Sequence, residues 1–135
     1  MPYTLNLESH PGYLHARVTG TNSQQTVLDY TQEIHRACLE QNVRAVLIEE
    51  NLSGPSIRLS AVLQIVSQRA PEAAKFLKRI ALVDLHPEHD LSRMEFAEDL
   101  AANRGVNLRL FASLAAAEQW LRQETSGPGA ATGEG

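Results

Sequence analysis

Tyr3, Leu5 and Leu7 alternate with Thr4, Asn6 and Glu8, and a second run alternates Leu14, Ala16 and Val18 with His15, Arg17 and Thr19. A period of two belongs to half-buried strands. Between the runs lies His10-Pro11-Gly12; proline presets φ for the first central turn position and glycine accepts the positive φ of the second, which predicts an antiparallel hairpin with His15 on an outward face. Past Gly20, the side chains of Thr21, Asn22 and Ser23 can accept from free helix N–H groups, and Val27, Leu28, Thr31, Ile34 and Cys38 follow helical spacing. Val43 to Ile48 and Ile80 to Val83 are nearly continuous apolar runs, as in strands covered on both faces. Between them, Leu59, Val62, Leu63 and Val66 predict one helix, and Pro71 predicts the start of a second short helix through Ala74 and Leu77. Ser92-Arg93-Met94-Glu95 has the form of a capping box for a helix through Phe96, Ala97, Leu100 and Ala101, with Asn103-Arg104-Gly105 as its exit. Val106, Leu108 and Leu110 form a last, edge strand, and Ser113 caps a final helix carrying Leu114, Ala117, Trp120 and Leu121.

This order predicts an α/β fold: a mixed sheet of about five strands, opened by an antiparallel hairpin and otherwise parallel, covered by about four helices. One domain over residues 1–124 and a flexible Gly-rich tail over 125–135 are expected. In open α/β sheets ligands meet the loops at the carboxyl ends of parallel strands. Here those loops are Glu49 to Ser56 and Asp84 to Asp90.

Composition narrows the partners. With 135 residues, 43% apolar and 21% charged, the chain has the make-up of a folded domain, and its net charge of -4 argues against nucleic acid, which needs a basic face. Cys38 is the sole cysteine, so an internal disulfide and a multi-thiolate zinc cage are excluded and a reducing compartment is expected. The first residues show no basic or apolar leader pattern, and no run approaches the roughly 18 apolar residues of a membrane span, so a cytoplasmic address is expected.

The element order, the strand Ile80-Ala81-Leu82-Val83-Asp84 and the closing pattern Phe111-x-Ser113-Leu114-x-x-Ala117-x-x-Trp120-Leu121 together resemble the SpoIIAA-like (STAS-like) superfamily over roughly Tyr3 to Glu124. The resemblance implies its fold. In members that act as anti-sigma factor antagonists, it also implies an Asp-Ser-Ser-Gly type motif at the start of the second helix, where phosphorylation blocks partner binding. The matching stretch is Asn51-Leu52-Ser53-Gly54-Pro55. Ser53 and Gly54 fit the motif's end, whereas asparagine stands for the aspartate, leucine for the first hydroxyl residue, and Pro55 follows the glycine. A helix N-terminus would stabilise a phosphate on Ser53, while Glu49 and Glu50 would oppose it. Sec14-like branches of the superfamily imply a further possibility, a lipid or other small apolar ligand held under the helices, with Ile57, Leu59, Leu63, Phe76 and Leu77 as lining residues.

Two residue groups invite chemistry. His86, His89 and Asp90 are suitable ligand types for a divalent metal and so for metal-dependent hydrolysis, but Pro87 breaks the helix that would align the two rings, and the bland reading is a polar loop in which Asp90 or Ser92 caps the next helix. If Glu49 and Glu50 end a strand beside the one ending at Asp84, a cluster of acids and histidines forms at the sheet's edge. A Gly-x-Ser-x-Gly elbow and a glycine-rich phosphate loop are both missing. The leading expectation is therefore a non-catalytic domain without a cofactor. It engages a protein partner, or its own copy, through Glu49, Glu50, Asn51, Ser53 and Gly54, with apolar-ligand binding as the alternative.

Overall fold

The computed structural model describes residues 3–87 and 89–125. Apart from Thr125, the expected Gly-rich tail lies outside the described residues. In chain order the elements are β1 (Tyr3–His10), β2 (Tyr13–Thr21), α1 (Gln24–Gln41), β3 (Ala45–Ser53), α2 (Leu59–Phe76), β4 (Arg79–Asp84), α3 (Leu91–Asn103), β5 (Leu108–Leu110) and α4 (Leu114–Thr125). The strands form one sheet in the order β1-β2-β3-β4-β5. β1 and β2 are antiparallel and every later pairing is parallel, as the alternation and the buried runs predict. Gly12, in the turn between β1 and β2, has φ +88°, the conformation for which glycine was expected there.

Both faces of the sheet are covered. Leu14, Ala16, Val18, Val46, Ile48, Leu52 and Leu82 pack with Tyr30, Ile34, Ala37 and Cys38 beneath α1. On the other face, Tyr13, Ala45, Leu47, Ala81 and Val83 pack with Ala117 and Leu121 of α4. The doubly buried runs of β3 and β4 thus form the middle of the molecule. Trp120 sits at the rim of the second layer, against Phe111 and under the Arg79 guanidinium, 4.6 Å from its ring centre.

Four local expectations are corrected. β3 does not stop near Ile48; its parallel pairing with β2 runs on to Thr21↔Ser53, because Glu50 and Leu52 continue the inward row of Val46 and Ile48. α2 is one helix through Pro71 rather than two, since Val62, Ile65 and Ala70 carry one buried stripe along it. Pro71 and Ser67 are both exposed, so water can serve the carbonyl that Pro71 leaves unpaired. At α3 the cap is Asp90, whose carboxylate accepts from the Ser92 N–H at 2.9 Å, and Ser92 lies inside the helix. Finally, His15 is buried, because its side of the sheet carries the α4 layer.

Leu47 is fully buried between β-sheet and α4. Leu47→Ala is expected to cost about 2–5 kcal/mol, the range for a truncation that leaves a core cavity. Urea unfolding followed by circular dichroism measures this, and a loss under about 1 kcal/mol would contradict the packing described.

Candidate functional site

Parallel register makes Glu50 on β3 the direct neighbour of Asp84 on β4. Both side chains fall on the α1–α3 side, two residues beyond the apolar Ile48 and Leu82. Glu50 is only 4% exposed, and its Oε2 accepts a hydrogen bond from the Tyr30 hydroxyl of α1. Burial raises the Glu50 carboxyl to about 7, with the Tyr30 hydrogen bond working against the shift and the Asp84 charge adding to it. The Tyr30 phenol is pushed well above its usual value by burial and by Glu50.

His89 reaches this pair from the connection between β4 and α3. Its Nδ1 lies 2.6 Å from Asp84 Oδ2 and its Nε2 lies 3.0 Å from the Gly54 carbonyl oxygen. Both ring nitrogens face nearer acceptors, which favours the doubly protonated imidazolium, while the Asn22 Nδ2 amide lies 3.4 Å from Nε2. Burial alone would lower the His89 pKa, but the hydrogen bond and charge of Asp84, together with the Gly54 carbonyl, outweigh it and the net shift is upward. The other Asp84 oxygen accepts from the His86 N–H at 3.0 Å, and the His86 ring stacks on His89 with centres 4.6 Å apart. Gly54 holds φ +101°, a region that a side chain would strain, and this conformation accompanies the turn of its carbonyl toward His89.

The same hub laces the connections together. Asn22 Nδ2 donates to the Pro55 carbonyl at 2.9 Å, Asp90 N–H donates to Ser56 Oγ at 2.7 Å, and Arg93 Nε donates to the Ile57 carbonyl at 2.9 Å.

Beneath them, between the sheet and α1–α3, lies a cavity of about 190 Å³. Its walls are mostly apolar, with Ile34, Ile48, Ile65, Val66, Leu82 and Met94 among them, and Tyr30, Glu50, Asp84 and His89 line its polar end. Glu72 and Asp90, both exposed, line it too, so it reaches the surface.

The expected site residues part company here. Glu50 and Gly54 meet at the polar end of the cavity through Asp84 and His89. Strand alternation turns Glu49 to the opposite face, where it accepts from His15 Nε2 at 2.8 Å and Arg17 Nε at 3.2 Å. Asn51 and Ser53 are exposed at the end of β3, and Ser53 Oγ donates to the Gly20 carbonyl at 2.9 Å. Ser53 does not open the second helix: residues 54–58 separate it from Leu59, where α2 begins. His86 and His89 stack, but the Asp90 carboxylate turns away to cap α3 and lies 3.6 Å from Arg93. The groups close enough to share a cation at this end are instead Glu50, Asp84 and His89, with ligand atoms within 4.8 Å of one another. Of the suggested lining residues, Ile57 and Leu77 do border the cavity. Sequence reasoning missed Tyr30, although its place three residues after Val27 and four before Ile34 marks it as part of α1's inward stripe.

No protein-family profile matches the chain, and no curated protein does. Solved structures do. An anti-sigma factor antagonist from Mycobacterium paratuberculosis superposes with a TM-score of 0.57 at 18% identity, over 89% of this chain and 94% of that one. SpoIIAA in its unphosphorylated form superposes with a TM-score of 0.54 at 17% identity, over 88% of this chain and 96% of that one. The chain therefore has the SpoIIAA-like, or STAS, α/β fold.

Because Glu50 keeps its proton to about pH 7 when folded and loses it near 4.5 when unfolded, its contribution to stability is complete below about 4.5 and is lost as pH rises toward 7. Glu50→Gln keeps an acceptor for Tyr30 and cannot ionise. The stability of Glu50→Gln relative to wild type should rise between pH 4.5 and 8, by on the order of 3 kcal/mol at most. Urea midpoints of both proteins across that range check this; a constant difference would show that Glu50 titrates normally.

Proposed function

We propose that this protein is a non-catalytic binding domain whose cavity takes a small, largely apolar molecule carrying one neutral hydrogen-bonding group at the Tyr30–Glu50 end. The single observation behind the reading is an apolar chamber that closes on a buried carboxyl. Its size sets the scale of the ligand. An engineered hole of about 150 Å³ holds benzene, and drug-sized pockets begin near 300 Å³. At about 190 Å³ the chamber suits one fused ring system or a short alkyl chain rather than a two-chain lipid. An anionic head group is disfavoured beside Glu50 and Asp84, whereas a hydroxyl or N–H can donate to Glu50 and a carbonyl can accept from its protonated form. The Asp84–His89 pair supports the non-catalytic part. For base catalysis, the His89 nitrogen turned away from Asp84 would have to accept a proton from a nucleophile, and here it faces the Gly54 carbonyl.

Indole and 1-octanol serve as probes. Each is expected to shift amide resonances of Tyr30, Glu50, Ile65 and Leu82, and Val66→Phe, which fills the chamber, should weaken binding by about ten-fold or more. Shifts scattered over the surface, or unchanged in Val66→Phe, would sink the reading.

A second reading, engagement of a protein partner or a second copy at the end of β3, draws support from the shared fold and from the exposure of Asn51 and Ser53. A phosphate on Ser53 would be carried by the strand end, away from the free N–H groups of α2. If Ser53 is a switch, Ser53→Asp should release a co-purifying partner that Ser53→Ala retains. Equal recovery by both variants in a quantitative pull-down, with equal mass by light scattering, would remove the switch.

A further inference from the structure

Far from the cavity, on the α4 side of the sheet, the hairpin gathers a second set of titratable groups. Glu8 and His15 are register partners across β1 and β2, and His10 and Tyr13 form the next same-face pair, so four side chains share one face. The His10 Nε2 lies 3.1 Å from Glu8 Oε1, and the His15 Nδ1 lies 3.9 Å from the same oxygen.

His15 is 4% exposed, and its other nitrogen, Nε2, lies 2.8 Å from the Glu49 carboxylate, which Arg17 Nε holds in turn at 3.2 Å. The Glu49 carboxylate accepts from Nε2–H, so His15 can offer Nδ1 to a metal ion while keeping that hydrogen bond. The His10 ring is held by parallel stacking on the buried Tyr13 ring, 4.9 Å between centres and 2° between planes. The ring nitrogens His10 Nε2 and His15 Nδ1 thus converge on one carboxylate oxygen, with His10 Nε2–H donating to it at 3.1 Å. A metal ion entering here takes the place of the His10 Nε2 proton, which that ring can carry at Nδ1 instead.

We propose that the hairpin binds one divalent transition-metal ion of the zinc class through Glu8 Oε1, His10 Nε2 and His15 Nδ1, with its remaining position open to solvent. Two imidazoles and a carboxylate are a borderline donor set that suits zinc better than magnesium or calcium. Zinc bonds of about 2.0–2.2 Å set tetrahedral ligand atoms about 3.3–3.6 Å apart. The three atoms here already lie within 4.8 Å of one another, so small side-chain adjustments complete the site. Glu8 is more than half exposed and supplies the opening. Glu49 acts as a positioning residue that sets the His15 tautomer. Arg17 Nη2, 3.9 Å from Glu8, is the one cation among the described residues seen to compete for that carboxylate.

The test uses the tag-free full chain, calorimetric titration with zinc chloride, and visible absorption with cobalt chloride as a report on coordination geometry. One ion per chain is expected, with stoichiometric binding lost in His10→Ala and in Glu8→Ala. Because the Glu8 side chain is 57% exposed, metal-free Glu8→Ala should unfold thermally as wild type does, whereas His10→Ala also loses the ring stacked on Tyr13 and is checked for its fold by circular dichroism. Glu49→Gln should retain the ion and weaken it by about ten- to a hundred-fold, the usual effect of removing a carboxylate behind a ligating histidine. His89→Ala, which removes the histidine of the other group able to share a cation, should bind as wild type does once circular dichroism shows it folded. The proposal is overturned if wild type takes up no ion at micromolar zinc, if binding survives His10→Ala and Glu8→Ala, or if it vanishes in folded His89→Ala.

Discussion

Parallel pairing of β3 with β4 places two carboxylates, Glu50 and Asp84, side by side on the buried face of the sheet. In a medium of low dielectric, two such neighbours cannot both remain charged without help. The molecule meets this with His89 on Asp84 and Tyr30 on Glu50. His89 also faces the Gly54 carbonyl, so the same ring that balances the charge ties the β4–α3 connection to the β3–α2 connection. The arrangement of the strand ends thus follows from one electrostatic requirement.

The same side chains border the cavity. Interiors are normally packed to crystal-like density, so a chamber of about 190 Å³ in a chain this small is unusual. Helices α1, α2 and α3 lie side by side over one face of the sheet, and their apolar side chains line the chamber together with Ile48 and Leu82. Ala70 and Ala101, small residues buried between α2 and α3, let these helices approach closely at one end. At the other end, Glu50, Asp84 and His89 line the chamber. Glu50 thus belongs both to the lining of the chamber and to the hydrogen bonding that joins α1 to β3.

The likeness to anti-sigma factor antagonists extends over most of the chain at under a fifth identity, which is a statement about backbone architecture. Function lives in the side chains placed on that architecture. Here the strand end that offers Asn51 and Ser53 to solvent is separated from the helix start, while the inward row delivers Glu50 to the chamber.

Much was determined by the sequence alone. Periods of two and of 3.6, the Pro-Gly turn and the caps at Ser23 and Ser113 are local properties, so element order, the antiparallel hairpin and the doubly buried strands could be read from neighbouring residues. Glu49 and Glu50 were also legible as acids at the end of a strand beside Asp84. What only the tertiary structure decided were quantities that depend on residues distant in the chain. The pairing with β2 carried β3 past its apolar run, and the packed stripe of α2 overrode the helix-breaking signal of Pro71. The α4 layer buried a histidine that alternation had turned outward. Glu50 became a buried acid at the end of a chamber, and His15 the partner of a glutamate 34 residues away, because burial and charge compensation are set by what folds over a side chain, which no local pattern encodes.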